Sequence, residues 1–248
     1  MPGPQPLEVP DLSALARAAA GAVAERAARA VAERGAFRLA LAGGTTPRAL
    51  YALLADPRGP WRGRIDWRRV EVVFGDERCV PPDHPDSNDR MARAALLDHV
   101  PLRAVLRIQG ELPADEAARR YQAALAERWG AGAPPALDLV LLGLGADGHT
   151  ASLFPGSPAL DERQRWVAGV PAAQAGTAPR VDRVSLTLPM LDAARAVLFL
   201  VAGAEKAEAL SRLLAPRGGE PSIPAARVRP AGELLVIHDR AAGAGLAA

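Results

Sequence analysis

With 248 residues, 49% of them apolar, the chain is long enough to bury a substantial core and too apolar for disorder. No apolar run approaches the ~18 residues of a membrane span. Net charge is only +2 and no Lys/Arg block supports a nucleic-acid partner, while Cys79, the only cysteine, excludes an internal disulfide and a multi-cysteine metal site.

The opening segment MPGPQPLEVPDL has no basic stretch followed by an apolar one, so no signal peptide is read and a cytoplasmic location is the default. The first helix is predicted over residues 12–34, capped by Asp11 and ended by Gly35, with Leu15, Ala19, Val23, Ala27 and Val31 on one face. FRLALAGG (37–44) reads as an apolar strand running into glycines, and a helix through 50–54 should follow. Further strands are predicted at 70–74 and 105–109, and a helix at 115–129. LDLVLLGLG (137–145) is apolar on both faces, as a parallel sheet covered by helices requires. Later strands are expected at 183–188, 197–202 and 233–238, with a helix at 205–214 and a loose Ala/Gly tail at the end. Pro/Gly-rich patches at 56–63, 130–135 and 215–224 read as surface loops. Strand and helix alternate without a dividing linker, which predicts one α/β domain over 1–248 around a mostly parallel sheet.

Ligands of such sheets bind beyond the carboxyl ends of the strands. Three strand ends here carry polar, glycine-rich sequence. Gly43-Gly44-Thr45-Thr46-Pro47 is either an ordinary strand-to-helix turn or an anion cradle built from helix-start amides. Gly75-Asp76-Glu77-Arg78, followed by Asp86-Ser87-Asn88, offers a guanidinium for a phosphate and carboxylates for orienting a catalytic group or a sugar hydroxyl. Its bland alternative is a surface ion pair beside a helix cap. Gly143 to Pro155 sets Asp147 and His149 two residues apart in a glycine-rich turn, a carboxylate beside the side chain best suited to proton transfer near neutrality. His84 lies near the second motif and is within possible reach of the site; His99 and His238 are weaker candidates, and no metal-ligand spacing emerges. Of the 30 basic residues Lys206 is the only lysine, either a chance survivor or a position where arginine does not serve.

LAGGTTPRALY, VVFGDERCVPPDHPDSN, LLGLGADGHTASLFPG, RVSLTLPMLDAA and LFLVAGAEKAEAL, in this order, resemble the 6-phosphogluconolactonase family, within the glucosamine/galactosamine-6-phosphate isomerase superfamily. The resemblance implies a Rossmann-like open sheet with helices on both faces and hydrolysis of 6-phospho-D-glucono-1,5-lactone in the pentose phosphate pathway. It implies His149 as general base supported by Asp147. Gly43, Gly44, Thr45 and Thr46 would hold the substrate, Arg78 and Lys206 would clamp its phosphate, and Asp76 and Asn88 would line the pocket. It implies no cofactor or metal, a phosphorylated sugar lactone as partner, and a monomer or small homo-oligomer. Backbone amides at 145–148 are the expected donors to the tetrahedral oxyanion. The rival readings are a glucosamine-6-phosphate deaminase-type isomerase and a non-catalytic sugar-phosphate-binding regulator. The first needs an acid where Phe154 stands, and the second usually carries an added DNA-binding domain.

Overall fold

The computed structural model describes residues 4–176, 179–215 and 223–246, so the predicted loop at 215–224 lies largely outside the described residues. In chain order the strands are β1 (Gln5–Val9), β2 (Phe37–Leu41), β3 (Val70–Phe74), β4 (Asp76–Arg78), β5 (Ala104–Val105), β6 (Leu139–Gly143), β7 (Val167–Val170), β8 (Arg183–Leu186), β9 (Ala196–Val201) and β10 (Glu233–Asp239). The helices are α1 (Leu12–Arg34), α2 (Thr45–Ala55), α3 (Asn88–Ala95), α4 (Ala114–Trp129), α5 (Leu188–Asp192), α6 (Ala207–Leu214) and α7 (Arg240–Gly243).

Seven strands form one parallel sheet in the order β1-β10-β9-β6-β2-β3-β5. Every residue of β3 and β9 is buried. Successive side chains point to opposite faces, so both faces of the sheet are covered. The chain moves outward from β2 through β3 to β5, then returns to β6 on the other side of β2. The reversal between β2 and β6 is the switch point, the place where an open α/β sheet leaves a crevice at its carboxyl edge.

Local chemistry explains the elements. Asp11 caps α1 by accepting the Ala14 N–H at 2.8 Å, and Gly35, left-handed at φ 75°, closes it by donating to the Val31 carbonyl. Leu15, Ala19, Val23 and Ala27 are buried as their spacing predicts, while Val31 is only partly buried. Small alanines on this face let α1 approach α2 and β10 closely. In β9, Leu198, Phe199 and Leu200 are almost fully buried, and truncating any of them to alanine costs about 2–5 kcal/mol.

The chain's only two tyrosines do the same job at two strand ends. The Tyr51 hydroxyl donates to the Ala42 carbonyl at 2.8 Å and accepts the Ala42 N–H at 3.0 Å, just after β2. The Tyr121 hydroxyl donates to the Phe74 carbonyl at 3.1 Å and accepts the Phe74 N–H at 2.8 Å, at the end of β3. Each phenol thus fastens the last backbone unit before a functional loop, and burial pushes both phenols far above their usual pKa.

The structure corrects several expectations. The segment expected to be a strand at 183–188 does not join the parallel sheet: β8 lies in a separate antiparallel sheet ordered β4-β8-β7, and Leu188 already begins α5. The strand expected at 105–109 shrinks to β5. The tail is not loose throughout. Asp239 caps α7 by accepting the Ala242 N–H at 2.8 Å, and Ala242 is fully buried.

Candidate active site

The loops after β2, β3, β6 and β9 converge on a pocket of about 190 Å³ at the carboxyl edge of the sheet. That is small beside the ~300–1,000 Å³ of drug-sized ligand sites and suits one sugar ring better than a dinucleotide. His149, Arg78, Asn88, Asp76 and Lys206 line it together with Gly43 and Gly44. Thr45 and Thr46 do not: they form the first turn of α2 beyond the lining, and Thr45 faces a neighbouring surface depression with Leu12, Arg48 and Met91. Their share in the site is therefore confined to their helix-start backbone. No side chain caps that end of α2, leaving it suited to an anion.

The β6 loop supplies the imidazole. His149 Nδ1 lies 2.6 Å from Asp147 Oδ1, which also accepts the His149 backbone N–H at 3.1 Å. Burial alone would raise the Asp147 pKa, but hydrogen bonds from the His149 ring and amide hold it below the ordinary value. An ionised Asp147 keeps the ring proton on Nδ1 and leaves Nε2 as the acceptor. The turn requires glycine at 145, because a Cβ there would overlap both the imidazole and the carboxylate. Ala151, at φ 48°, also lines the pocket. It is the only non-glycine residue with positive φ among the described residues, a strain of roughly 1–2 kcal/mol. The His149 ring packs on Phe154, with centroids 4.6 Å apart.

Two of the four expected backbone donors for an oxyanion, those of Gly145 and Gly148, are engaged within this turn. Gly145 N–H donates to the His149 carbonyl at 2.8 Å, and Gly148 N–H to the Gly145 carbonyl at 2.9 Å. The His149 amide is taken by Asp147.

The β3 loop is organised by Glu77, which does not line the pocket. Its buried carboxylate accepts N–H bonds from Arg78, Asn88 and Asp89 at 2.7–2.8 Å and the Ser87 hydroxyl at 3.1 Å. Burial keeps its pKa raised, against those hydrogen bonds. Of the two roles the sequence left open for Asp76 or Glu77, orienting a catalytic group or binding a sugar hydroxyl, these contacts give Glu77 a positioning one. With residues 87–89 fixed, Asn88 Oδ1 accepts from Arg78 Nη1 at 2.6 Å and its amide donates to the Asp76 carbonyl at 2.9 Å. Asp76 Oδ2 in turn accepts the Ser152 hydroxyl at 2.7 Å, tying the β3 and β6 loops together. Gly43 must be glycine because a Cβ would overlap the Asn88 side chain. The Arg78 Nε is buried and has no hydrogen-bond partner among the described residues.

Arg183, missed by the sequence reading, also lines the pocket. His84 does not; it is half-exposed, with Nδ1 accepting the Asp86 N–H at 3.2 Å. His99 bonds the Ala94 carbonyl near the end of α3, and His238 is buried against the Asp239 carbonyl. Among the described residues no group of three or more His, Cys, Asp or Glu could hold a metal ion, and no helix is long and apolar enough to cross a membrane. A larger depression, about 500 Å³, lies at the opposite edge of the sheet. Its arginines are met by carboxylates, Arg26 and Arg29 by Glu233 and Arg34 and Arg195 by Asp138, so it reads as a charge-compensated seam.

The family model described as glucosamine-6-phosphate isomerases/6-phosphogluconolactonase matches residues 10–237. The 6-phosphogluconolactonase of Synechocystis sp. is 43% identical over 213 residues, covering 84% of each chain. That of Homo sapiens is 41% identical over 213 residues, covering 83% of this chain and 79% of its own. The solved structure of 6-phosphogluconolactonase from Trypanosoma cruzi superposes with a TM-score of 0.86 at 30% identity, covering 99% of this chain and 97% of that one. This chain therefore belongs to the glucosamine-6-phosphate isomerase/6-phosphogluconolactonase family.

Proposed function

We propose that the protein hydrolyses 6-phospho-D-glucono-1,5-lactone to 6-phospho-D-gluconate, with His149 as general base and the phosphate held by Lys206, Arg78 and the Gly43–Thr46 turn. The observation that carries this reading is His149, backed by Asp147 at 2.6 Å, lining the same small pocket as the chain's single lysine.

The imidazole Nε2 takes a proton from water as the water oxygen bonds to C1, and the carbonyl π pair moves onto the carbonyl oxygen. When that pair returns, the bond from C1 to the ring oxygen breaks and the imidazolium proton goes to that oxygen. The acid formed loses its proton to solvent. A δ-lactone is already reactive, so a positioned base worth ~10²–10⁴-fold meets the need. The remote phosphate supplies binding energy that orients the ring. Phe154, fully buried hydrocarbon against the base, has no proton to shuttle, which disfavours the deaminase-type alternative.

The test is acid release from freshly made lactone, corrected for spontaneous hydrolysis, run beside glucosamine 6-phosphate. Turnover of the lactone is expected, with His149→Ala losing about 10²–10⁴-fold in kcat. Turnover of the amino sugar alone, or an unimpaired His149→Ala, would overturn the reading.

A further inference from the structure

We infer that Arg183 is a catalytic residue for this reaction: its guanidinium receives the negative charge that develops on the lactone carbonyl oxygen. The inference rests on the lactonase reading above and assigns a role to a side chain outside the sequence-level site.

Position is the first argument. Arg183 stands directly opposite Arg78 in the antiparallel β4–β8 ladder. Directly opposed residues project to the same face, and like charges there destabilise the pair. Arg183 is nevertheless only 3% exposed, and both arginines line the pocket. Two cations forced together beside a cavity are best compensated by an anionic ligand or by charge that appears during reaction.

A shared contact is the second argument. The Arg183 guanidinium lies 5.4 Å from the centre of the Phe154 ring, and the His149 ring packs on that same phenyl group at 4.6 Å. Phe154 is fully buried and so fixes both groups. A hydrogen bond from Arg183 Nη2 to the Pro179 carbonyl at 3.1 Å steadies the guanidinium further. Lys206 and the uncapped start of α2, by contrast, come from the loops after β9 and β2. With Arg78 these give the phosphate anchors other than Arg183, and the shared contact with Phe154 assigns Arg183 to the end of the pocket where His149 stands.

The state of the turn's amides is the third argument. Those of Gly145, Gly148 and His149 are engaged inside their own turn, which reduces the backbone donors it can offer. Burial lowers the Arg183 pKa; among the charges around it Asp76 and Asp86 favour the cation and Arg78 opposes it.

In the step concerned, the water oxygen bonds to C1 while His149 takes its proton, and the carbonyl π pair localises on an oxygen facing Arg183. The pair then returns as C1 parts from the ring oxygen, which receives the His149 proton. The same guanidinium would next face the product carboxylate.

The experiment compares Arg183→Lys and Arg183→Ala with the unaltered protein on the phosphorylated lactone and on unphosphorylated δ-gluconolactone. It also measures binding of 6-phosphogluconate and of sorbitol 6-phosphate, which lacks the carboxylate. Removing one oxyanion donor costs about 10²–10³-fold in kcat. That loss is expected on both lactones with KM changed less than about threefold, together with weaker 6-phosphogluconate binding and unchanged sorbitol 6-phosphate binding. Guanidinium ion added to Arg183→Ala should restore kcat. Arg183→Lys keeps the charge, so it tests the idea if the alanine variant does not fold. A rise in KM confined to the phosphorylated lactone would make Arg183 a phosphate ligand and overturn the inference, as would unchanged kinetics. If the unaltered protein fails to hydrolyse the lactone, the lactonase reading fails instead.

Discussion

Asp147→Asn preserves side-chain shape and removes the charge behind the proposed base. Asp147 Oδ1 sits 2.6 Å from His149 Nδ1, and its pKa lies below the ordinary aspartate value, so it is ionised at neutral pH. When His149 takes the proton from water, that contact becomes a hydrogen bond between two charges, worth about 1.5–3 kcal/mol. The gain exists only once the imidazolium forms, so the variant should lose about 10- to 150-fold in kcat with KM nearly unchanged. Initial acid-release rates across a range of lactone concentrations separate the two constants. The same substitution has a stability signature. Because the folded-state pKa is depressed, the carboxylate's contribution is fully present above its unfolded value, near 3.9, and is lost as pH falls through the folded value. The gap in unfolding free energy between protein and variant should therefore close below about pH 4. A kcat within twofold of the unaltered protein would refute the claim that Asp147 orients and charges the base.

Lys206→Ala should raise KM for the phosphorylated lactone about 10- to 150-fold, from the loss of one charged hydrogen bond, and leave the unphosphorylated lactone nearly unaffected; parallel kinetics on the two substrates check this. Tyr51→Phe strips the buried Ala42 N–H and carbonyl of their shared partner and should cost about 1–3 kcal/mol in urea unfolding, with a loss under 0.5 kcal/mol contradicting it. Burial first, then Asp182 and Glu77, push the Cys79 thiol up to about 11. About a thousandth of it is thiolate at pH 8, so a disulfide reagent should label the native protein slowly and the unfolded protein fast, and rapid native labelling would contradict this.

The central strands were legible because they are apolar on both faces, a pattern that β6 and β9 cannot shed without exposing carbon to water. The peripheral strands were not. β1 carries Pro6 and a half-exposed Leu7, β4 is the tripeptide Asp-Glu-Arg, and β7 is four residues long with a glycine. Their strand character comes from partners distant in sequence, which periodicity does not register. The site divides along the same line. Asp147 and His149 announce themselves as polar residues leaving a wholly apolar strand, and Lys206 as the one lysine in a chain that otherwise uses arginine. Arg183 is one of 29 arginines and opens a strand in a different sheet, so its place in the pocket follows from the β4–β8 pairing alone. Between the two roles open to Glu77 the sequence could not choose, because its four donors lie up to twelve residues away along a loop whose path the sequence does not reveal.

The paired phenol clasps give the molecule a built-in optical reporter. Tyrosinate absorbs differently from tyrosine, and neither ring can shed its proton while it holds a strand terminus. An alkaline ramp followed in the ultraviolet should therefore show no phenolate signal until Ala42 or Phe74 is released. The spectrum would then record the moment the two sugar-facing loops come adrift from the sheet.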